Sequence, residues 1–221
     1  VASIQTTAVK DEDDYILNGS KMWITGAGKA DWFFVLAYTD KSAGYKGMSA
    51  FIVDADSNGL TLGKKETNMG QRASDTRSIN FEDVRVPAAN LVGGEEGKGW
   101  FNAMTAFDLS RPNIAAHATG ISRAAFEHAL QYSDERETFG KKFHQHQAIQ
   151  FMLADMKTKI EASRALTWKT AWESDNGIRN TESAAHAKRF AADTAMEVTT
   201  DAVQIFGGYG YSEEYPVARL M

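Results

Sequence analysis

Four short stretches of this chain carry residue types that could do chemistry. "KMWITGAG" (21–28) places Trp23 and Thr25 two apart, on one face of a strand. An indole beside a hydroxyl would make one wall of a planar aromatic ligand site. The competing reading is a core tryptophan beside a satisfied threonine, and spacing alone favours it. "AFDLSRP" (106–112) puts Asp108 and Arg111 at i, i+3 of an apolar helix. That pair is either a surface ion pair or, next to Phe107, a buried and ligand-facing one. "DERETFGKKFHQHQ" (134–147) ends a helix with Arg136, Thr138 and Gly140. Arg136 offers a planar five-donor fork suited to phosphate. Gln147 opens the next helix, where free N–H groups favour anions. "QIFGG" (204–208) ends another helix, and its glycines permit left-handed geometry and close backbone approach. A plain helix C-cap is the commoner explanation of such glycines.

Other familiar patterns are missing. There is no GxGxxG after a strand, no phosphate loop of the Walker type, no HExxH and no GxSxG. His144 and His146 stand two apart, but in a polar inter-helix loop, and read as surface histidines rather than metal ligands. Asn18-Gly19-Ser20 matches a glycosylation acceptor and reads better as a turn.

The elements that must position these residues change character midway. In the first half, "DDYILNGSKMWIT" has two β-prone runs flanking Asn18-Gly19, which predicts a tight hairpin. Trp32 to Thr39, Met48 to Asp54, Leu60 to Gly63 and Ser78 to Val86 predict further strands, and their spacing suggests a barrel or sandwich. Near "GGEEGKGW" (93–100) the period becomes helical. Trp100, Met104 and Phe107 mark a first helix. Ile149, Met152, Leu153, Met156 and Ile160 mark a second. Phe190, Ala191, Ala195, Val198, Ala202 and Ile205 mark a third, which Thr181 would cap. These are amphipathic helices of roughly 20–30 residues, broken between the second and third at Asn176-Gly177. Three of them expose apolar surface unless something covers it. A fourth helix only begins at Tyr215 to Met221.

Composition narrows the function classes. The net charge of −5 disfavours nucleic acid as a partner. No uninterrupted apolar run of membrane-spanning length is present. Cysteine is absent, which removes disulfides, thiolate nucleophiles and cysteine metal sites.

Taken together, the chain resembles the acyl-CoA dehydrogenase family, most of all its medium-chain, straight-chain type. The likeness rests on "NGSKMWITGAG", "NMGQRASDTRSINFEDVRVP", "AFDLSRP", "ERETFGKKFHQHQAIQFMLADM" and "DAVQIFGGYGYSEEYPVARLM", in family order and over nearly the whole chain. It implies an α+β, multi-domain architecture: a β-barrel middle domain over 1–93, then an incomplete C-terminal helical bundle over 94–221. The helical N-terminal domain of the family is absent. It also implies FAD, bound at a dimer interface, usually within a tetramer. By that resemblance Trp23, Ile24 and Thr25 lie against the flavin ring, with Thr25 bonding near N5. Arg136, Thr138, Phe139 and Gln147 reach the FAD phosphates and adenine side, typically of a neighbouring subunit. Gln204, Ile205, Phe206, Gly207 and Gly208 contact the same cofactor. Asp108 and Arg111 line the acyl-CoA channel, and Arg179 and Thr181 make weaker contacts on the CoA side.

The implied reaction is α,β-dehydrogenation of an acyl-CoA thioester to a trans-2-enoyl-CoA, with electrons passed to an electron-transferring flavoprotein. It needs a glutamate base, a stabilised enolate oxygen and burial. In relatives that carry the base on the first bundle helix it precedes Arg111, where this chain has Ser110. The expectation is therefore a fragment with no catalytic residue of its own, its parent using a glutamate downstream of Met221. Asp108 is a poor substitute. An acyl-CoA oxidase-like flavoprotein and a non-catalytic, self-associating or FAD-binding module are the alternatives. The compartment would be cytoplasm in a bacterium or mitochondrial matrix in a eukaryote.

Overall fold

The structure, a computed structural model, describes residues 3–221. The chain folds as two compact units, Val1–Thr105 and Ala106–Met221.

The first unit is built on one six-stranded sheet. Its strands are β1 (Thr7–Asp11), β2 (Asp14–Thr25), β3 (Trp32–Tyr38), β4 (Met48–Asp54), β5 (Leu60–Leu62) and β6 (Thr76–Pro87), in the order β4-β3-β1-β2-β6-β5. All neighbours are antiparallel except β1 and β3. Alternation along the strands sends Leu17, Val35, Phe51, Val53, Ile79, Phe81 and Val84 into one core. The hairpin expected at Asn18-Gly19 does not exist: β2 runs straight through it. The turn lies earlier, between β1 and β2, with Glu12 at φ 55°. Gly19 answers a different need. A Cβ there would stand 2.8 Å from Thr6 Cα, so glycine permits close chain approach. Asn18 is also spoken for: its amide donates to the Asp83 carboxylate, and Asp83 N–H donates back to its oxygen, both at 2.9 Å.

The glycine-rich run after β6 lies flat along β4. Gly97 N–H donates to Ser49 Oγ at 3.0 Å. A Cβ on Gly97 would meet the Lys46 carbonyl at 2.5 Å, and one on Gly99 would meet the Ser49 carbonyl carbon at 2.5 Å. Trp100 and Phe101 then pack on the ring of Tyr45, at 5.7 and 6.3 Å between centroids.

The second unit holds most of α1 (Gly99–Glu135), with α2 (Gln147–Asp175) and α3 (Thr181–Phe206). At 37 residues α1 exceeds the expected length and carries Pro112 within it. The second and third stripes largely meet in the core: Leu153, Met156, Ile160, Val198, Ala202 and Ile205 are buried together with Ala125 and Ala129 of α1. Phe190 is an exception and stays 39 % exposed. Small residues let the helices approach closely, and buried Thr119, Ser122, Ser163 and Thr167 satisfy their hydroxyls on carbonyls one turn back. Phe151, Trp168 and Trp172 remain exposed on α2, the uncovered apolar surface that three helices leave. Thr181 is not the cap of α3. Asn180 holds that position and Thr181 is the first helical residue. A 3-10 turn over Pro216–Arg219 stands where a fourth helix was expected to begin. The loop around the two histidines is a hairpin of β7 (Glu137–Thr138) and β8 (Lys141–Lys142), followed by one 3-10 turn.

Candidate functional site

On the first unit, the end of β2 carries the tryptophan-threonine pair. The register of β2 against β6 slips between Lys21 and Ile24, where two residues of β2 oppose one of β6. Such a bulge re-aims side chains. Trp23 sits in it at φ 63°, a left-handed conformation that costs a non-glycine residue about 1–2 kcal/mol. Its indole is 66 % exposed. The core-tryptophan alternative therefore does not describe this fold. Thr25 is exposed too, and Ile24 is half-buried against the core. The turn that follows is braced: Gly26 N–H donates to the Asp75 carbonyl, and Asp75 pairs with Arg77 at 2.8 Å. That hydrogen bond holds the Asp75 carboxyl below its ordinary range. Two residues before Trp23, Lys21 donates from Nζ to the Leu36 carbonyl at 2.6 Å, and burial pulls its ammonium down to about 8.

In the second unit the predicted residues gather into two clusters. The first joins α1 to the start of α3. Arg111 Nη1 donates to Asp108 Oδ1 at 2.9 Å, and Thr181 Oγ1 donates to Asp108 Oδ2 at 2.6 Å. Arg179 Nε reaches Thr181 Oγ1 at 3.4 Å. Arg111 also lies over the Phe107 ring at 5.9 Å. Asp108 and Arg111 are part-exposed, so neither the plain surface pair nor a buried pair describes them. Pro112 supplies no N–H toward the carbonyl of residue 108, one turn earlier. Ser110 turns its hydroxyl back to the Phe107 carbonyl.

The second cluster is a hollow of about 490 Å³ where the end of α1 meets the end of α3. Arg136 and Thr138 line it from one side, and Gln204 to Gly208 from the other. Its walls are aromatic. Tyr132 stacks on Phe206 at 4.1 Å, and Phe143 and Tyr209 complete the rim. Among the described residues no carboxylate pairs with the exposed Arg136 guanidinium. Gly207 takes φ 60°, which explains that glycine. Gly208 has no such reason: a Cβ there would meet no described atom within 4 Å. A free guanidinium and an aromatic rim are groups a nucleotide can use, its phosphate on the first and its flat base against the second, and Gly208 leaves room for close approach. The chain's own packing thus leaves room for the cofactor that the resemblance implies.

Not every predicted residue lines the hollow. Phe139 heads the β7–β8 turn, with Gly140, at φ 51° and 77°, and is 98 % exposed. Gln147 opens α2 and faces solvent. The side chains of Ile205 and Phe206 belong chiefly to the core. Tyr132, Phe143 and Tyr209 were missed by sequence reasoning. The one available signal was Tyr132, a helical turn before Arg136. Among the described residues no group of three or more His, Asp or Glu is placed to hold a metal ion, and no helix is long and apolar enough to cross a membrane.

Comparison with known proteins adds an independent line. The family model for the acyl-CoA dehydrogenase middle domain matches residues 1–84, and that for the acyl-CoA dehydrogenase C-terminal domain matches 97–221. A short-chain specific acyl-CoA dehydrogenase of Megasphaera elsdenii is 53 % identical over 218 residues. Cyclohexane-1-carbonyl-CoA dehydrogenase of Geobacter metallireducens is 49 % identical over 220. These matches take in 98 % and 100 % of this chain, which spans 57 % of the length of each relative. Among solved structures, a chain from work on the electron transferring flavoprotein of Acidaminococcus fermentans superposes with a TM-score of 0.96 at 51 % identity, covering 100 % of this chain and 58 % of its own.

Proposed function

The chain belongs to the acyl-CoA dehydrogenase family, and on that footing we propose that its parent protein is an FAD-dependent enzyme. It oxidises an acyl-CoA thioester to the trans-2-enoyl-CoA and hands electrons to an electron-transferring flavoprotein. The observation that carries this reading is the hollow between α1 and α3. Two segments far apart in sequence, each singled out for cofactor contact, meet there around an unpaired guanidinium and aromatic walls.

When bound, FAD supplies the acceptor for the hydride that leaves the β carbon. The residues of this chain bind and orient. Arg136 takes phosphate charge, Gly208 leaves room for close approach, Thr138 adds a hydroxyl, and the rings of Tyr132 and Tyr209 give flat apolar surface. Trp23 and Thr25 offer an exposed indole and hydroxyl suited to a planar ring. Asp108, Arg111, Arg179 and Thr181 form one hydrogen-bonded group for the CoA ester. Asp108 is held by hydrogen bonds from Arg111 and Thr181 within the group that meets the CoA ester, and it is assigned to positioning. The α proton goes to a carboxylate in the part of the parent protein that these residues do not cover.

Asp108 and Arg136, one in each cluster of the second unit, stand 28 residues apart along α1 and its end, about 40 Å at 1.5 Å per residue. That separation supports a homo-oligomer in which the hollow serves the cofactor of a neighbouring protomer. The test is the full-length polypeptide, given butyryl-CoA or octanoyl-CoA anaerobically and then a dye acceptor. Bleaching of bound flavin followed by dye reduction is expected. A flavin that neither thioester reduces would overturn the proposal, and rapid peroxide formation in air would point to an oxidase instead.

A further inference from the structure

His146 is the last residue before α2, and sequence reasoning left it as a surface histidine. The structure gives it a specific environment. Its Nε2 lies 2.9 Å from Thr138 Oγ1 and 3.3 Å from the Thr138 carbonyl oxygen. The rings of Phe139 and Phe143 meet it edge-on, with centroids at 6.2 and 5.8 Å. Its backbone carbonyl accepts from Ile149 and Gln150, so the ring is anchored at the start of the helix.

The contact to the threonine hydroxyl suits either tautomer, and the contact to the carbonyl tells them apart. A carbonyl oxygen only accepts. If Nε2 were bare, its lone pair would face those of the Thr138 carbonyl. If Nε2 carries the proton, both distances become hydrogen bonds from one donor. The threonine hydroxyl then accepts from the ring, and its own proton is free to point elsewhere. Thr138 lines the hollow beside Arg136.

We propose that His146 is a positioning residue that donates from Nε2 to Thr138 and so turns the Thr138 hydroxyl into a donor toward a phosphate oxygen in the hollow. This rests on the reading of that hollow as a nucleotide site. Without the ring, the hydroxyl is free to spend its proton inside the chain and present lone pairs to an anion.

Two measurements on the full chain test it. The first is the ¹⁵N spectrum of the His146 ring without ligand, at a pH where the imidazole is neutral. A protonated Nε2 is expected. A proton on Nδ1 alone overturns the proposal whatever the hollow binds. The second is a binding cycle with FAD as the probe, followed by its fluorescence. Thr138→Val and His146→Phe should each weaken FAD about tenfold, the size expected for one hydrogen bond to a charged group. The double variant should be no weaker than Thr138→Val alone, and His146→Gln, whose amide can donate from a similar place, should restore most of the affinity. Additive losses, with circular dichroism showing each variant folded, would assign His146 a merely structural role and refute the idea. Failure of the unaltered chain to take FAD would instead refute the nucleotide reading of the hollow, and this role with it.

Discussion

Thr181→Val is the most direct probe of the Asp108 cluster. The substitution keeps a β-branched side chain at the first residue of α3, so helix propensity barely changes. It removes one hydroxyl, the donor to Asp108 Oδ2 at 2.6 Å. A hydrogen bond to a charged group contributes about 1.5–3 kcal/mol. Here the low end applies, because the Asp108 side chain is 20 % exposed and keeps its bond to Arg111. The expected loss is about 1.5 kcal/mol, which lowers Tm by roughly 3–6 °C in a chain of this size. Thr181→Ser retains the donor and should melt within about 2 °C of the unaltered chain. The assay is thermal unfolding followed by circular dichroism, with hydrogen exchange at the first turn of α3 as a local readout. Exchange should quicken there in the valine variant. If valine and serine behave alike, the hydroxyl does not tie α3 to α1, and the case for a shared acyl-CoA contact weakens with it.

Other outcomes follow from single features. Gly210→Ala should destabilise by about 1–3 kcal/mol, because a Cβ there meets the Val203 carbonyl at 2.4 Å, whereas Gly208→Ala should fold normally and weaken FAD binding; melting and flavin titration separate the two. Trp23→Gly should leave stability unchanged or higher by up to about 1 kcal/mol, since it relieves the left-handed backbone, while lowering flavin affinity; a loss of stability would show that the indole is needed for folding. Lys21 titrates at about 8 when folded and near 10.4 when unfolded. Between those values the unfolded chain holds more protons, so stability should rise as pH climbs from 8 to 10. Lys21→Met should flatten that rise, as denaturant titrations at several pH values would reveal.

Much of the helical half was readable from spacing alone. Leu153, Met156 and Ile160 recur as a buried helix face must, and Val198, Ala202 and Ile205 match them. The strands were less readable. β1 went unseen because Lys10, Asp11 and Glu12 make its end polar, and it needs β2 and β3 on either side to be a strand at all. Asn18-Gly19 misled because its local preference for a turn is outweighed by Thr6 and Asp83, residues distant in sequence. The site divides in the same way. The fork of Arg136 and the bare backbone at Gly208 are local chemistry and could be read as such. That they share one hollow with Tyr132 is a fact of packing. The partnership of Thr181 with Asp108 is hidden for the same reason, and the helix-cap reading of Thr181 was the natural local error.

The glycine run before α1 marks in sequence the change from strand to helix period. In the structure Gly97 and Gly99 lie where no side chain fits, and Trp100 and Phe101 share the ring of Tyr45. A helical half expressed from residue 94 onward would carry two large rings stripped of that partner, and would aggregate sooner than one begun after Thr105. A protease, too, should spare residues 97–101 and cut first near Met69, whose side chain is 97 % exposed in an irregular loop.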